Sequence, residues 1–183
     1  MQPHPDPVVP SPRTPSATAG VVEQATAQAR QMLEAGAPRL EILTRLANAG
    51  ELLSGPGATV SILVLDDEGL VRNGASPTLP AAYLLAIDRL KPDPLVGTCA
   101  AAAATGLVVL TPDFLADDKW AELRHLPSSL GFVGAWSMPI QAEDGRVLGT
   151  FGTYFRERRT PTAEERSGVA RLARAAARVL RAG

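Results

Sequence analysis

Gly131-Phe132-Val133-Gly134-Ala135-Trp136-Ser137-Met138-Pro139-Ile140-Gln141, then Ala142-Glu143-Asp144-Gly145, then Arg146-Val147-Leu148-Gly149-Thr150-Phe151-Gly152-Thr153-Tyr154-Phe155, decides how this chain folds. Phe132 to Gln141 has period two. Trp136, Met138 and Ile140 project to one face of a strand, and Ala135, Ser137 and Pro139 to the other. The Asp144-Gly145 pair tolerates the positive φ of a hairpin turn, so Arg146 to Phe155 is predicted to return as the partner strand. Val147, Gly149, Phe151, Thr153 and Phe155 then share one side, with Leu148, Thr150, Gly152 and Tyr154 on the other. One face is expected to pack on helices and the other to wall a pocket.

Downstream, Thr160-Pro161 is expected to start a helix that runs to about Leu180, with Glu164 and Glu165 near its positive end. Val169, Leu172, Ala173, Ala176, Val179 and Leu180 make its apolar stripe. Arg171, Arg174, Arg178 and Arg181 make a separate basic stripe, which on its own reads as a solvated face. Upstream, Asp117 to Leu126 is predicted helical around Trp120 and Leu123, and Leu107 to Leu110 is a short strand ending at Thr111-Pro112-Asp113. An alanine-rich helix starts near Thr98 or Cys99 and stops at Gly106. Pro80 to Leu90 is a short helix carrying Tyr83. Ala58 to Asp66 and Leu70 to Gly74 form another hairpin. Val21 to Ala35 and Arg39 to Leu53 are helices, and residues 1–19 read as a disordered, proline-rich arm. Residues 20–183 are therefore expected to form one domain.

The bulk composition narrows the function. A chain of 183 residues can bury a core without staples. Its net charge of -1 supplies no field for nucleic acid or an anionic membrane. A single cysteine, Cys99, with His4 and His125, gives neither a disulfide nor a zinc set, so no metal site and no cofactor is assigned. No secretory signal and no bilayer-spanning run is present, which points to the cytoplasm.

The element order is that of an α+β fold, an antiparallel sheet of five to six strands with helices on both faces. Together with Gly97-Thr98-Cys99-Ala100-Ala101-Ala102, the strand exit at Asp113, Trp120-Ala121, Ala135-Trp136-Ser137-Met138-Pro139-Ile140 and Gly145-Arg146-Val147-Leu148-Gly149-Thr150-Phe151, it resembles the GAF domain family over about Arg39 to Leu180. The likeness is to a bacterial signalling subgroup, with Thr98 in place of that subgroup's serine and Ala100 in place of its second glycine. The resemblance implies a sensory module that binds a small molecule between the sheet and the flanking helices, or a pocketless dimerisation scaffold. Its implied site residues are Tyr83, Thr98, Cys99, Asp113, Trp120 and Trp136. GAF-like enzymes that reduce free methionine sulfoxide rely on several cysteines, one attacking and one resolving, and a lone Cys99 cannot do both. The expected protein is therefore a non-enzymatic sensor. Its expected partners are an unidentified small molecule, a separate signalling protein, and a second copy held through the N- and C-terminal helices.

Overall fold

The computed structural model describes residues 17–183, and the proline-rich arm up to residue 16 lies outside them. Six helices and five strands follow: α1 (Ala17–Glu34), α2 (Arg39–Ser54), β1 (Thr59–Leu65), β2 (Val71–Ala75), α3 (Ala81–Ile87), α4 (Cys99–Thr105), β3 (Val109–Thr111), α5 (His125–Ser129), β4 (Gly134–Gln141), β5 (Val147–Phe155) and α6 (Ala163–Arg181). A single 3-10 turn, Asp118–Trp120, precedes α5. The strands form one sheet in the order β2-β1-β5-β4-β3, with every neighbouring pair antiparallel. This is the α+β architecture expected, with five strands. Among the described residues no helix is long and apolar enough to cross a membrane.

The β4–β5 hairpin is the spine of the sheet. Trp136 faces Thr153 and Ser137 faces Gly152 across the pair. Gly145, at φ +84°, takes the left-handed position that the turn requires. The period-two faces fall as expected. Trp136, Ile140, Phe151 and Phe155 join Ile42, Leu46, Val169 and Leu172 in a core between the sheet and the α1, α2 and α6 layer. Ala135 and Tyr154 point the other way, into a second core with Tyr83, Phe114, Trp120 and Phe132. Two separate hydrophobic cores therefore share one sheet as their common wall.

Several boundaries differ from the sequence expectation, each for a local reason. α1 begins at Ala17, so Ala17 to Ala19 belong to a helix rather than to the arm; alanine is the best helix former. The segment expected as a helix from Asp117 to Leu126 divides into the 3-10 turn and α5. Asp117 caps the first piece by accepting from the Lys119 N–H at 3.0 Å, and Pro127 sits within the second. α6 is capped by Thr162 and not by Thr160. The Thr162 hydroxyl accepts from the Glu165 N–H, and the Glu165 carboxylate accepts from the Thr162 N–H, a reciprocal box that satisfies two otherwise orphaned donors.

The apolar stripe of α6, through which a second copy was expected to dock, is largely buried within the chain itself. Leu172 and Ala176 are fully buried and Val179 nearly so. On α1, Val22, Ala25 and Ala29 are also buried, because α1 lies across α2 and α6 as an outer layer. Gly168 marks the crossing, where an added Cβ would lie 2.5 Å from Leu53 and 3.2 Å from Val22.

Candidate functional site

The second face of the sheet carries an unusual floor. Ser137 of β4, Thr150 of β5 and Ser61 of β1 all present buried hydroxyls there, in strands otherwise rich in apolar residues. α4 lies over them and brings Thr98 and Cys99 down onto Ser137. Thr98 makes no helix-capping bond. Its hydroxyl instead accepts from Ser137 Oγ at 3.0 Å, while Cys99 Sγ lies 3.1 Å from the same Oγ. Either group can donate in this second contact. Gly152 makes this approach possible, since an added Cβ there would meet Cys99 Sγ at 2.9 Å.

Beside this trio, Tyr83 of α3 donates its hydroxyl to that of Tyr154 at 2.8 Å, with the rings edge to face at 5.8 Å. Burial pushes both phenols up, Tyr154 well above its usual range. Burial likewise raises the Cys99 thiol, with the Ser137, Thr150 and Thr98 hydroxyls only partly opposing it. A helix start can lower a thiol pKa, but here desolvation wins and the protonated form is favoured.

Tyr83, Thr98, Cys99 and Trp120 are thus brought together around one cavity, closed by Leu63, Ile87, Leu123 and Tyr154. Its free volume is about 20 Å³, room for about one water by the usual measure of ~10–15 Å³. No charged side chain lines it. The Trp120 indole N–H is buried without a hydrogen-bond partner.

The other two expected site residues lie elsewhere. Trp136 belongs to the opposite face, in the helix-layer core, because its strand parity matches that of Ile140. Asp113 lies outside the cavity, paired with Arg158 in a surface groove that Asp117 and Lys119 also line. Asp117 is held there by Lys119 Nζ at 2.8 Å and by the Thr111 hydroxyl at 2.7 Å. Burial alone would raise its carboxyl, but those bonds outweigh it and hold the group below the usual range. Sequence reasoning did not single out Ser137 or Tyr154 as site residues; their signals were the pocket-facing parity and, for Ser137, its place in the Ala135-to-Ile140 motif. Among the described residues no group of three His, Cys, Asp or Glu side chains could hold a metal ion.

This arrangement, a central antiparallel sheet with a helix layer on one face and a small roofed cavity on the other, defines a class. The family profile described as GAF domain matches residues 37–181, and the chain belongs to that family. It is 32% identical over 136 residues to the methyl sulfide methyltransferase-associated sensor of Methanosarcina acetivorans, a match covering 74% of this chain and 14% of that protein. The chain thus spans about one seventh of that relative's length. Among solved structures it is similar to a free methionine-R-sulfoxide reductase of Neisseria meningitidis in complex with its substrate (TM-score 0.70, 16% identity, 94% of this chain and 93% of that one). It is also similar to the GAF domain of a phosphoenolpyruvate-protein phosphotransferase of Coxiella burnetii (TM-score 0.69, 20% identity, 88% and 90%). A third similarity is to a GAF sensor protein of Burkholderia vietnamiensis (TM-score 0.64, 21% identity, 88% and 94%).

Proposed function

We propose that this chain is the input domain of a signalling system, sensing a small uncharged molecule in the cavity walled by Tyr83, Thr98, Cys99 and Trp120. The observation that carries this reading is the orphaned Trp120 indole N–H in the wall of that cavity. An unpaired buried donor costs about 1–3 kcal/mol, and an acceptor atom on a ligand would recover it. An anionic metabolite is disfavoured, because the lining offers no cation to offset the desolvation of its charge. With about 20 Å³ free, anything larger than water must displace the roof. The roof is light: α3 has seven residues and α5 five.

The sensor relative supports this role, and the single, half-buried Cys99, whose protonated form is favoured, supports a non-enzymatic one. The small cavity also favours a second reading, a scaffold that keeps the roof closed. A thermal-shift screen of neutral metabolites with native mass spectrometry separates the two, since a ligand selective for the folded state raises its stability. The sensor reading expects a hit that Trp120→Phe weakens; no hit and no co-purified mass would favour the scaffold. Turnover of free methionine sulfoxide with a thiol reductant, lost in Cys99→Ser, would overturn the non-enzymatic reading.

A further inference from the structure

On the opposite side of the molecule, α6 carries a ridge of arginines with no role in the fold. Arg171, Arg174 and Arg178 make no ion pair or hydrogen bond among the described residues. Arg181 is paired with Glu143 at 3.2 Å. Every other side of α6 is occupied: its apolar face lies on the sheet, and α2 and α1 flank it. The helix dipole accounts for Arg178 and Arg181, which stand in the last turn. It does not account for Arg171 and Arg174, which stand mid-helix.

The spacing specifies the occupant. From Ser167 the ridge continues through 171, 174, 178 and 181, at intervals of four, three, four and three residues. That is the repeat by which two helices keep a common seam, here over about 21 Å of axis. Arg171, Arg174 and Arg178 also surround a recess of about 160 Å³ at the α1–α6 seam, where Thr26 forms the far wall. The Thr26 hydroxyl is committed to the Glu23 carbonyl, so the guanidiniums are the recess's donors. A polyanion fits less well. The ridge is one arginine wide, α1 beside it carries Glu23 and Glu34, and the whole chain has a net charge of -1.

We propose that this ridge docks an acidic α-helix of a partner protein, with carboxylates at the same three-and-four spacing meeting Arg171, Arg174 and Arg178. Arginine's planar fork suits carboxylates bidentately. The ridge would therefore set the register of the partner helix as well as attract it.

The test uses the full chain and a fluorescent synthetic helix of about 21 residues, built on alanine and glutamine with glutamates at that spacing. Fluorescence anisotropy should show saturable binding that weakens as salt rises from about 50 to about 300 mM. Arg171→Gln/Arg174→Gln/Arg178→Gln should weaken it about tenfold or more, with unchanged circular dichroism and melting, since these side chains hold nothing in the fold. Arg166→Gln, off the ridge, should leave it unchanged. Three outcomes would overturn the proposal: no binding at low salt, equal binding by a peptide of scrambled glutamate spacing, or tighter binding of a DNA duplex that the triple variant abolishes.

Discussion

Gly152 and Cys99 are a fitted pair, and their contact can be measured. A methyl group at 152 would stand 2.9 Å from Cys99 Sγ and 3.4 Å from Ser137 Oγ. Gly152→Ala should therefore cost about 1–3 kcal/mol by overpacking. In a Cys99→Ala background most of that cost should vanish, and denaturant unfolding of the four proteins would show the coupling. Equal costs in both backgrounds would mean that the crowding lies elsewhere. The same burial should make Cys99 alkylate with iodoacetamide more slowly at neutral pH than a cysteine in a short peptide, because the thiol is held protonated. At this scale Gly97-Thr98-Cys99 announced itself in the sequence as a place of interest. Ser137 did not, because a serine in an alternating strand has no signature until its partner, 38 residues earlier in the chain, is laid over it.

Among elements, the start of α6 is the joint to test. Arg159 places its guanidinium 3.7 Å over the Phe155 ring, donates to the Ser54 carbonyl at 3.0 Å and to Glu165 at 2.7 and 2.8 Å. One side chain thereby ties the end of β5, the end of α2 and the first turn of α6. Burial pushes the Glu165 carboxyl up, but Arg159 and the Thr162 N–H outweigh it and hold it below its usual 4.5. A depressed folded-state pKa contributes stability that is full above the unfolded value and is lost as pH falls through the folded one. Thermal melts should accordingly fall below about pH 4.5, and Glu165→Gln should show a shallower acid slope. At neutral pH that variant should lose about 2–4 kcal/mol, between the loss of a cap and the breaking of a buried pair. An unchanged acid slope would assign the acid sensitivity to other carboxylates. Composition placed this helix correctly but put its cap two residues early. Thr160-Pro161 and Thr162 followed by Glu165 are both start signals, and only the reciprocal bond to Glu165 selects between them.

For the molecule as a whole, the sheet, its two faces and the helix layer could be foreseen, because strand parity and helical stripes depend only on local periodicity. What covers each stripe could not. Leu172 looks the same in sequence whether its own chain or a second copy buries it, and here its own chain does so completely. Leu172→Glu should therefore unfold the protein rather than dissociate a dimer. Among the described residues, one patch of exposed apolar surface lies between α1 and α2, where Leu40 and Leu52 are 61% and 68% exposed beside Met32. A homodimer is expected to close over this groove. Light scattering should give twice 19.2 kDa for the wild type and 19.2 kDa for Leu40→Glu/Leu52→Glu, with both folded. A wild-type mass of 19.2 kDa at every micromolar concentration would dismiss the dimer.

The packing of α1 against α6 has a mechanical consequence. Thr18 bonds to Glu164, Val22 lies against Gly168, and Thr26 stands beside Arg171 and Arg174, so the two helices run side by side in the same direction. The polypeptide consequently arrives at one end of this pair and departs from the other, about 27 Å away along α1. A unit with that geometry could be joined in series, as one link of a push rod. A twist or slide of α6 relative to α1 would be delivered along the axis at the far end, where a domain fused behind α6 would receive it.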